Sequence, residues 1–207
     1  AEILLRRWKK GVSEYSSLIF VNNKSGIQNL DGLKGKVVIF EDPGSTSSYY
    51  LPASALLSKG YTLHHIKSPG EPVPADAIGY IFGNDISKSS DEISISAWVY
   101  RGTADAGALS SVNWDDPKDM PVTIKPSLSI IWESHPVPRS LMLVRPDMPS
   151  ELKDQIKTVL SSAHETDKGK KVLKSYKKTK RFDHLTPSAL EAIELSKPLL
   201  RIVEDQL

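Results

Sequence analysis

The chain has 207 residues, 39% apolar and 25% charged, with a formal net charge of +2. That length suits one large domain or two small lobes with real cores, and the composition excludes a disordered chain. The near balance of charge argues against nucleic acid or anionic lipid as partners, the lack of cysteine rules out disulfides, thiolate metal sites and cysteine nucleophiles, and no apolar run reaches the ~18 residues of a membrane span.

Residues 3–10 read as the end of a helix stopped by Gly11. Ser17 to Asn22 has strand composition, and Asn22 to Gly26 has turn chemistry. Leu30 and Leu33 fit a short helical turn closed by Gly35, and the β-branched run from Lys36 to Phe40 fits a buried strand. A turn follows, then a helix running to about Lys59 with Gly60 as its stop. Pro52 is tolerated only in a first turn, so this helix is expected to start near Ser47 or Ser48. Residues 67–76 read as loop, Ile78 to Phe82 as a strand, Asp91 to Arg101 as a helix stopped by Gly102, and Ala106 to Leu109 as a small, tightly packed strand. Residues 113–126 read as a polar connection. Leu128 to Trp132 and Leu141 to Val144 are two further strands, and 149–163, 167–177 and 187–195 are helix candidates. The alternation predicts an α/β fold with a largely parallel sheet.

The most informative stretch is Asp42-Pro43-Gly44-Ser45-Thr46-Ser47, where three hydroxyl side chains follow a strand and open a helix. A helix start leaves backbone N–H donors unsatisfied and carries partial positive charge. Hydroxyls added there make a neutral, donor-rich pocket that can hold phosphate, phosphonate or sulfate without a cationic residue. The same residues would also serve as a plain serine-rich cap.

Tyr15 to Val21, Ser25-Gly26-Ile27, Leu30 to Val37, Asp42 to Ser47 and Leu51-Pro52 resemble, in order, the middle of the phosphate/phosphite/phosphonate-binding proteins of ABC transporters. Arg101 to Ala108, Ile131 to Ser134 with Pro138, and Val144 to Pro149 continue the resemblance, which covers about residues 15 to 185. It implies a two-lobed type II periplasmic-binding-protein-like α/β fold, with mixed sheets and helices on both faces. Residues 1–22 and 137–207 would form one lobe and 23–136 the other, with crossovers near 20–24 and 133–141 and ligand in the cleft. The family's strand-helix-strand-helix segment before the Tyr15 motif has no counterpart in most of its length.

The resemblance further implies that Ser45, Thr46 and Ser47 bind the oxyanion and that Tyr15 is a cleft-facing aromatic. The family's phosphonate binders place a histidine at the start of the helix that here begins Asp91-Glu92, with Glu92 in its position. They place amine-gripping carboxylates at positions matching Ser110 and Ser140, which makes an aminoalkyl phosphonate a poor ligand here. Asp91 or Glu92 could accept a proton from the ligand and favour a monoprotonated phosphate or phosphite, could bind a cationic part of a different ligand, or could simply cap the helix. The implied partners are a small oxyanion and the membrane permease of an ABC transporter, with no cofactor, nucleic acid or membrane insertion. The implied location is periplasmic or extracellular and membrane-anchored. The alternatives are the input domain of a sensor kinase and, behind it, an enzyme on the same fold.

Other constellations carry less. The five histidines show no metal-ligand spacing, since His64 and His65 would point to opposite faces of a strand. Ser134-His135 lacks a nucleophile elbow, and no phosphate-binding glycine motif of a nucleotide site is present. The one strongly basic run is Lys168, Lys170, Lys171, Lys174, Lys177, Lys178, Lys180 and Arg181, which reads as a solvated lysine face.

Overall fold

The computed structural model describes residues 1–9 and 11–205. In chain order the strands are β1 (Glu2–Lys9), β2 (Glu14–Tyr15), β3 (Ser17–Asn22), β4 (Val37–Phe40), β5 (Thr62–His65), β6 (Ala77–Phe82), β7 (Ala106–Ser110), β8 (Leu128–Glu133), β9 (Val137–Pro138), β10 (Leu141–Val144) and β11 (Thr179–Asp183). The helices are α1 (Leu51–Ser58), α2 (Gly83–Ile86), α3 (Glu92–Arg101), α4 (Ser111–Asp115), α5 (Ser150–Ser162), α6 (Asp167–Ser175) and α7 (Pro187–Glu204), and a π-helix (Thr46–Tyr50) leads into α1.

The chain divides into a smaller unit, 1–15 with 136–194, and a larger one, 16–135 with 195–207. The lobe boundaries expected at 22/23 and 136/137 therefore shift to 15/16 and 135/136, and the chain passes between units a third time within α7. The first shift has a plain cause. All of β3 lies inside the six-stranded sheet of the larger unit, between β7 and β8.

In the larger unit the sheet order is β5-β6-β4-β7-β3-β8. β5, β6, β4 and β7 run parallel, while β3 is antiparallel to both β7 and β8. The sheet is therefore mixed where a largely parallel one is expected. Its inner strands β6, β4, β7 and β3 are buried on both faces because both faces are covered there. On one face Ile19, Val21, Val38 and Phe40 pack with Ala53 and Leu56 of α1. On the other, Phe20, Ile39 and Leu109 pack with Ile95 and Val99 of α3. Each large side chain buried this way contributes ~1.5–3 kcal/mol. Gly107 is a packing requirement, because a Cβ there would meet Phe20 Cζ at 2.9 Å and Val99 Cγ2 at 2.9 Å. Gly102 ends α3 in the left-handed region at φ +77°, where a side chain would be strained.

In the smaller unit β1 is the middle strand of the sheet β10-β1-β11. The helix expected over 3–10 is thus a strand, and Lys10 lies outside the described residues. Short apolar runs fit either period; antiparallel pairing on both sides of β1 decides the matter. Leu4 and Leu5 pack there with Leu173 and Phe182. Buried Arg6 is held by Asp183 through Nε at 3.1 Å and Nη2 at 3.0 Å, and by Glu14 through Nη1 at 2.5 Å. α7 outruns its expected end at 195 and continues through Pro198 to Glu204. The reason is packing, since Val203 near its end is buried in the core of the larger unit.

Candidate functional site

The parallel register sets the carboxyl ends of β4, β6 and β7 along one edge of the sheet of the larger unit. Open α/β sheets bind ligands at that edge. The antiparallel strands add to it, because Ser17 at the start of β3 pairs with Ser110 and Glu133 at the end of β8 pairs with Leu18. The result is a rim crowded with hydroxyls. Ser17 N donates to Ser134 Oγ at 2.9 Å, Ser16 N to Ser111 Oγ at 3.1 Å, and Ser17 Oγ to the Ser47 carbonyl at 2.5 Å. Buried Ser48 ties the loop down, accepting from Glu41 N at 2.9 Å and donating to the Ala108 carbonyl at 2.5 Å.

The loop after β4 enters its helix at Ser45, whose side chain caps Ser48 N at 3.2 Å. The first turn is wide. Tyr49 N and Tyr50 N both donate to the Ser45 carbonyl, each at 3.0 Å, and Leu51 N donates to the Thr46 carbonyl. Pro52 contributes to this geometry, since it cannot supply the N–H that a regular helix would send to the Ser48 carbonyl. The amides of Thr46 and Ser47 precede the first intrahelical bond and have no carbonyl partner within the helix. Thr46 is exposed and Ser47 half-buried. Neither hydroxyl engages a partner among the described residues, whereas the Ser45 hydroxyl donates to Glu41 Oε2 at 2.8 Å. Of the three expected oxyanion hydroxyls, then, two are free and the third is occupied by an acid.

Glu41 was not among the expected site residues. It directly follows β4, and burial pushes its carboxyl above the ordinary glutamate range. The hydrogen bond from Ser45 opposes that push, and the charges of Glu92, Asp42 and Asp119 add to it. Asn113 of α4 gathers the remaining polar groups. Its Nδ2 donates to Glu92 Oε1 at 3.0 Å and to Asp119 Oδ2 at 2.8 Å. Its N donates to Ser110 Oγ at 3.1 Å, and Ser110 Oγ in turn donates to Asn113 Oδ1. Glu92 and Ser110 are thereby joined in one network, together with Asn113 and Asp119, which the sequence did not single out. Asn113 lies within α4 and Asp119 in the loop after it, so no local sequence signal flags either.

Asp91 has a different task. It is the N-cap of α3, accepting from Ser94 N at 3.2 Å and from Ser94 Oγ at 2.9 Å. Asp91→Ala is expected to lower stability by ~1 kcal/mol while leaving oxyanion affinity unchanged; denaturant melts and calorimetry on one preparation check both. Tyr15 and Ser140 belong to the smaller unit. Tyr15 lies in β2 opposite Val137. Ser140 Oγ accepts from Arg7 Nη2 at 3.0 Å, and its carbonyl accepts from Arg7 N at 2.9 Å.

The family described as ABC transporter, phosphonate, periplasmic substrate-binding protein matches residues 1–190. The phosphate-import protein PhnD of Mycolicibacterium smegmatis is 29% identical over 137 residues, which cover 64% of this chain and 40% of that protein, so the matched stretch spans well under half of the relative. XAC2383 of Xanthomonas citri, solved with a chloride ion, is 28% identical with a TM-score of 0.88, covering 100% of this chain and 72% of that one. The same protein solved with ATP gives the same identity and TM-score over 99% of this chain. A binding protein component of an ABC phosphonate transporter from Pseudomonas aeruginosa shares the fold, at TM-score 0.60 and 19% identity over 96% of this chain and 62% of that one.

Proposed function

Because the chain belongs to the family of periplasmic substrate-binding proteins of phosphonate ABC transporters, we propose that it binds a small phosphorus oxyanion at the hydroxyl rim and serves a membrane permease. The observation that carries this reading is the helix start at Thr46 and Ser47. Two amides without helical acceptors and two unengaged hydroxyls sit together after β4. A tetrahedral anion matches that set, because each of its oxygens accepts and none needs to donate. The ligand would be held by N–H and O–H donors alone and released unchanged. Among the described residues no group of three or more His, Asp or Glu could hold a metal ion, and no helix is long and apolar enough to cross a membrane. The function is one of capture outside the cytoplasm, with transport carried out by the permease.

Ser110 and Ser140 supply no charge opposite a ligand amine. Glu92 and Asp119 lie close to Ser110, but each has an oxygen engaged by Asn113 Nδ2. Phosphate, phosphite and methylphosphonate are therefore expected to bind at least as tightly as 2-aminoethylphosphonate. Isothermal titration with those four ligands tests the reading. Heat from none of them would defeat it. A preference of about tenfold or more for the amine-bearing ligand, equal to ~1.4 kcal/mol, would assign amine recognition to Glu92 and Asp119.

A further inference from the structure

The basic run from Lys168 to Arg181 plays no part in the hydroxyl rim, and its place in the smaller unit gives it a second role. Lys170 and Lys174 stand one turn apart on α6 and so share a face. The backbone then turns through Lys177 and Lys178, both left-handed at φ 49° and 55°. Each such residue without glycine's freedom is strained by ~1 kcal/mol. The turn is held by Lys178 N donating to the Lys174 carbonyl at 3.2 Å and by Thr179, which donates to the Tyr176 carbonyl from N at 3.0 Å and from Oγ1 at 2.5 Å. This tight reversal carries Lys178 back beside Lys180 and Arg181 of β11, so that the cations of helix, turn and strand line one cavity of about 930 Å³.

The walls of that cavity are built for negative charge. Trp8 lines it, with the Arg181 guanidinium 4.2 Å from the centre of its ring, which fixes the cation in place. Lys170 has Asp167 at 3.6 Å, an exposed pairing. Lys174, Lys178 and Lys180 have no carboxylate within ion-pair distance among the described residues. The acid nearest along β11, Asp183, is gripped by both Nε and Nη2 of Arg6. His164 also lines the cavity, and its Nδ1 is buried with no hydrogen-bond partner among the described residues.

A single phosphate would neutralise little of this charge and fill little of this volume. We infer that the cavity is a second anion site, separate from the hydroxyl rim, which takes a soluble ligand carrying several phosphate groups in a row, an oligophosphate. Several linked anionic groups can meet lysines arriving from three directions and relieve their mutual repulsion at once. The Trp8 face covered by Arg181 is closed to stacking, which places recognition in the charges.

Inorganic tripolyphosphate is the probe. Calorimetry on the whole chain should show binding that weakens as salt is raised. The Lys174→Gln, Lys178→Gln, Lys180→Gln variant should bind it about tenfold more weakly or worse, with an unchanged melting temperature because all three side chains are exposed. Methylphosphonate binding should be the same in this variant as in the parent, and saturating methylphosphonate should not displace tripolyphosphate from the parent. The inference is overturned by a parent that does not bind tripolyphosphate, by a triple variant that binds it like the parent, or by displacement with methylphosphonate. It is also overturned if phosphatidylglycerol vesicles are bound while tripolyphosphate is not. Failure here is read from the lysine variant, and failure of the rim is read from the methylphosphonate titration, so the two are distinguishable.

Discussion

Replacing Ser45 and Thr46 together by alanine is expected to weaken oxyanion binding about tenfold or more. A hydrogen bond to a charged acceptor contributes about 1.5–3 kcal/mol, so loss of the Thr46 donor removes about that much, and Ser45, whose hydrogen must first leave Glu41, adds less. The Thr46 hydroxyl is unengaged among the described residues and would meet the proposed anion directly. The Ser45 hydroxyl would meet it only by turning away from Glu41 Oε2, where it donates at 2.8 Å. The amides of Thr46 and Ser47 survive both substitutions, so residual binding is expected, with selectivity for anions retained. Ser45 is also the helix cap, and its loss lowers stability by ~1 kcal/mol. Circular dichroism should therefore show a folded variant with a modestly reduced melting temperature. A folded variant with unchanged affinity would move the site elsewhere in the molecule.

Glu41→Gln is expected to act in the opposite direction and tighten oxyanion binding about tenfold at neutral pH. Ser45 has one hydroxyl hydrogen, and the Glu41 carboxylate takes it. An arriving anion must compete for that hydrogen and also face the charge of the carboxylate. A glutamine amide in the same place would donate to Ser45 Oγ, which frees the hydrogen for the ligand and removes the like charge. Protonating Glu41 achieves the same change, so the parent protein should take up a proton on binding and bind more tightly as pH falls. The variant should lose most of that dependence. Calorimetry in buffers of different ionisation enthalpy measures the proton uptake. Equal pH profiles for parent and variant would remove Glu41 from the site.

The same residue sets a stability signature of known sign. Burial raises the folded-state pKa of Glu41 above its unfolded value. Between the two values the folded state holds more protons than the unfolded state, so stability falls as pH rises through that window. The contribution of the protonated form is fully present below the ordinary glutamate range and is lost above the raised value. Glutamine keeps it at every pH. The variant should therefore melt higher than the parent near neutrality, with the gap closing on acidification.

By itself the sequence determined the local chemistry of this protein. The β-branched run into Phe40, the Asp-Pro-Gly turn and the three hydroxyls predict a strand, a turn and a capped helix start, because strand packing and helix capping are settled by residues a few positions apart. The ordered motifs from Tyr15 to Pro149 were likewise enough to point to the family. Tertiary structure decided what depends on segments far apart in the chain. Residues 2–9 are a strand because β10 and β11, more than a hundred positions away, pair with both its edges. β3 belongs to the larger unit because β7 and β8 enclose it. α7 passes Pro198 because Val203 finds a core to enter. At the site, the sequence offered Ser45, Thr46 and Ser47 as equals. Only the folded sheet, by setting Glu41 against Ser45 and gathering Glu92, Ser110 and Asp119 around Asn113, made one hydroxyl an acid's partner and left two free. Hydrogen-bond partners and burial depend on distances in space, and residues 41, 92, 110, 113 and 119 become neighbours only when parallel strands bring their carboxyl ends to one edge.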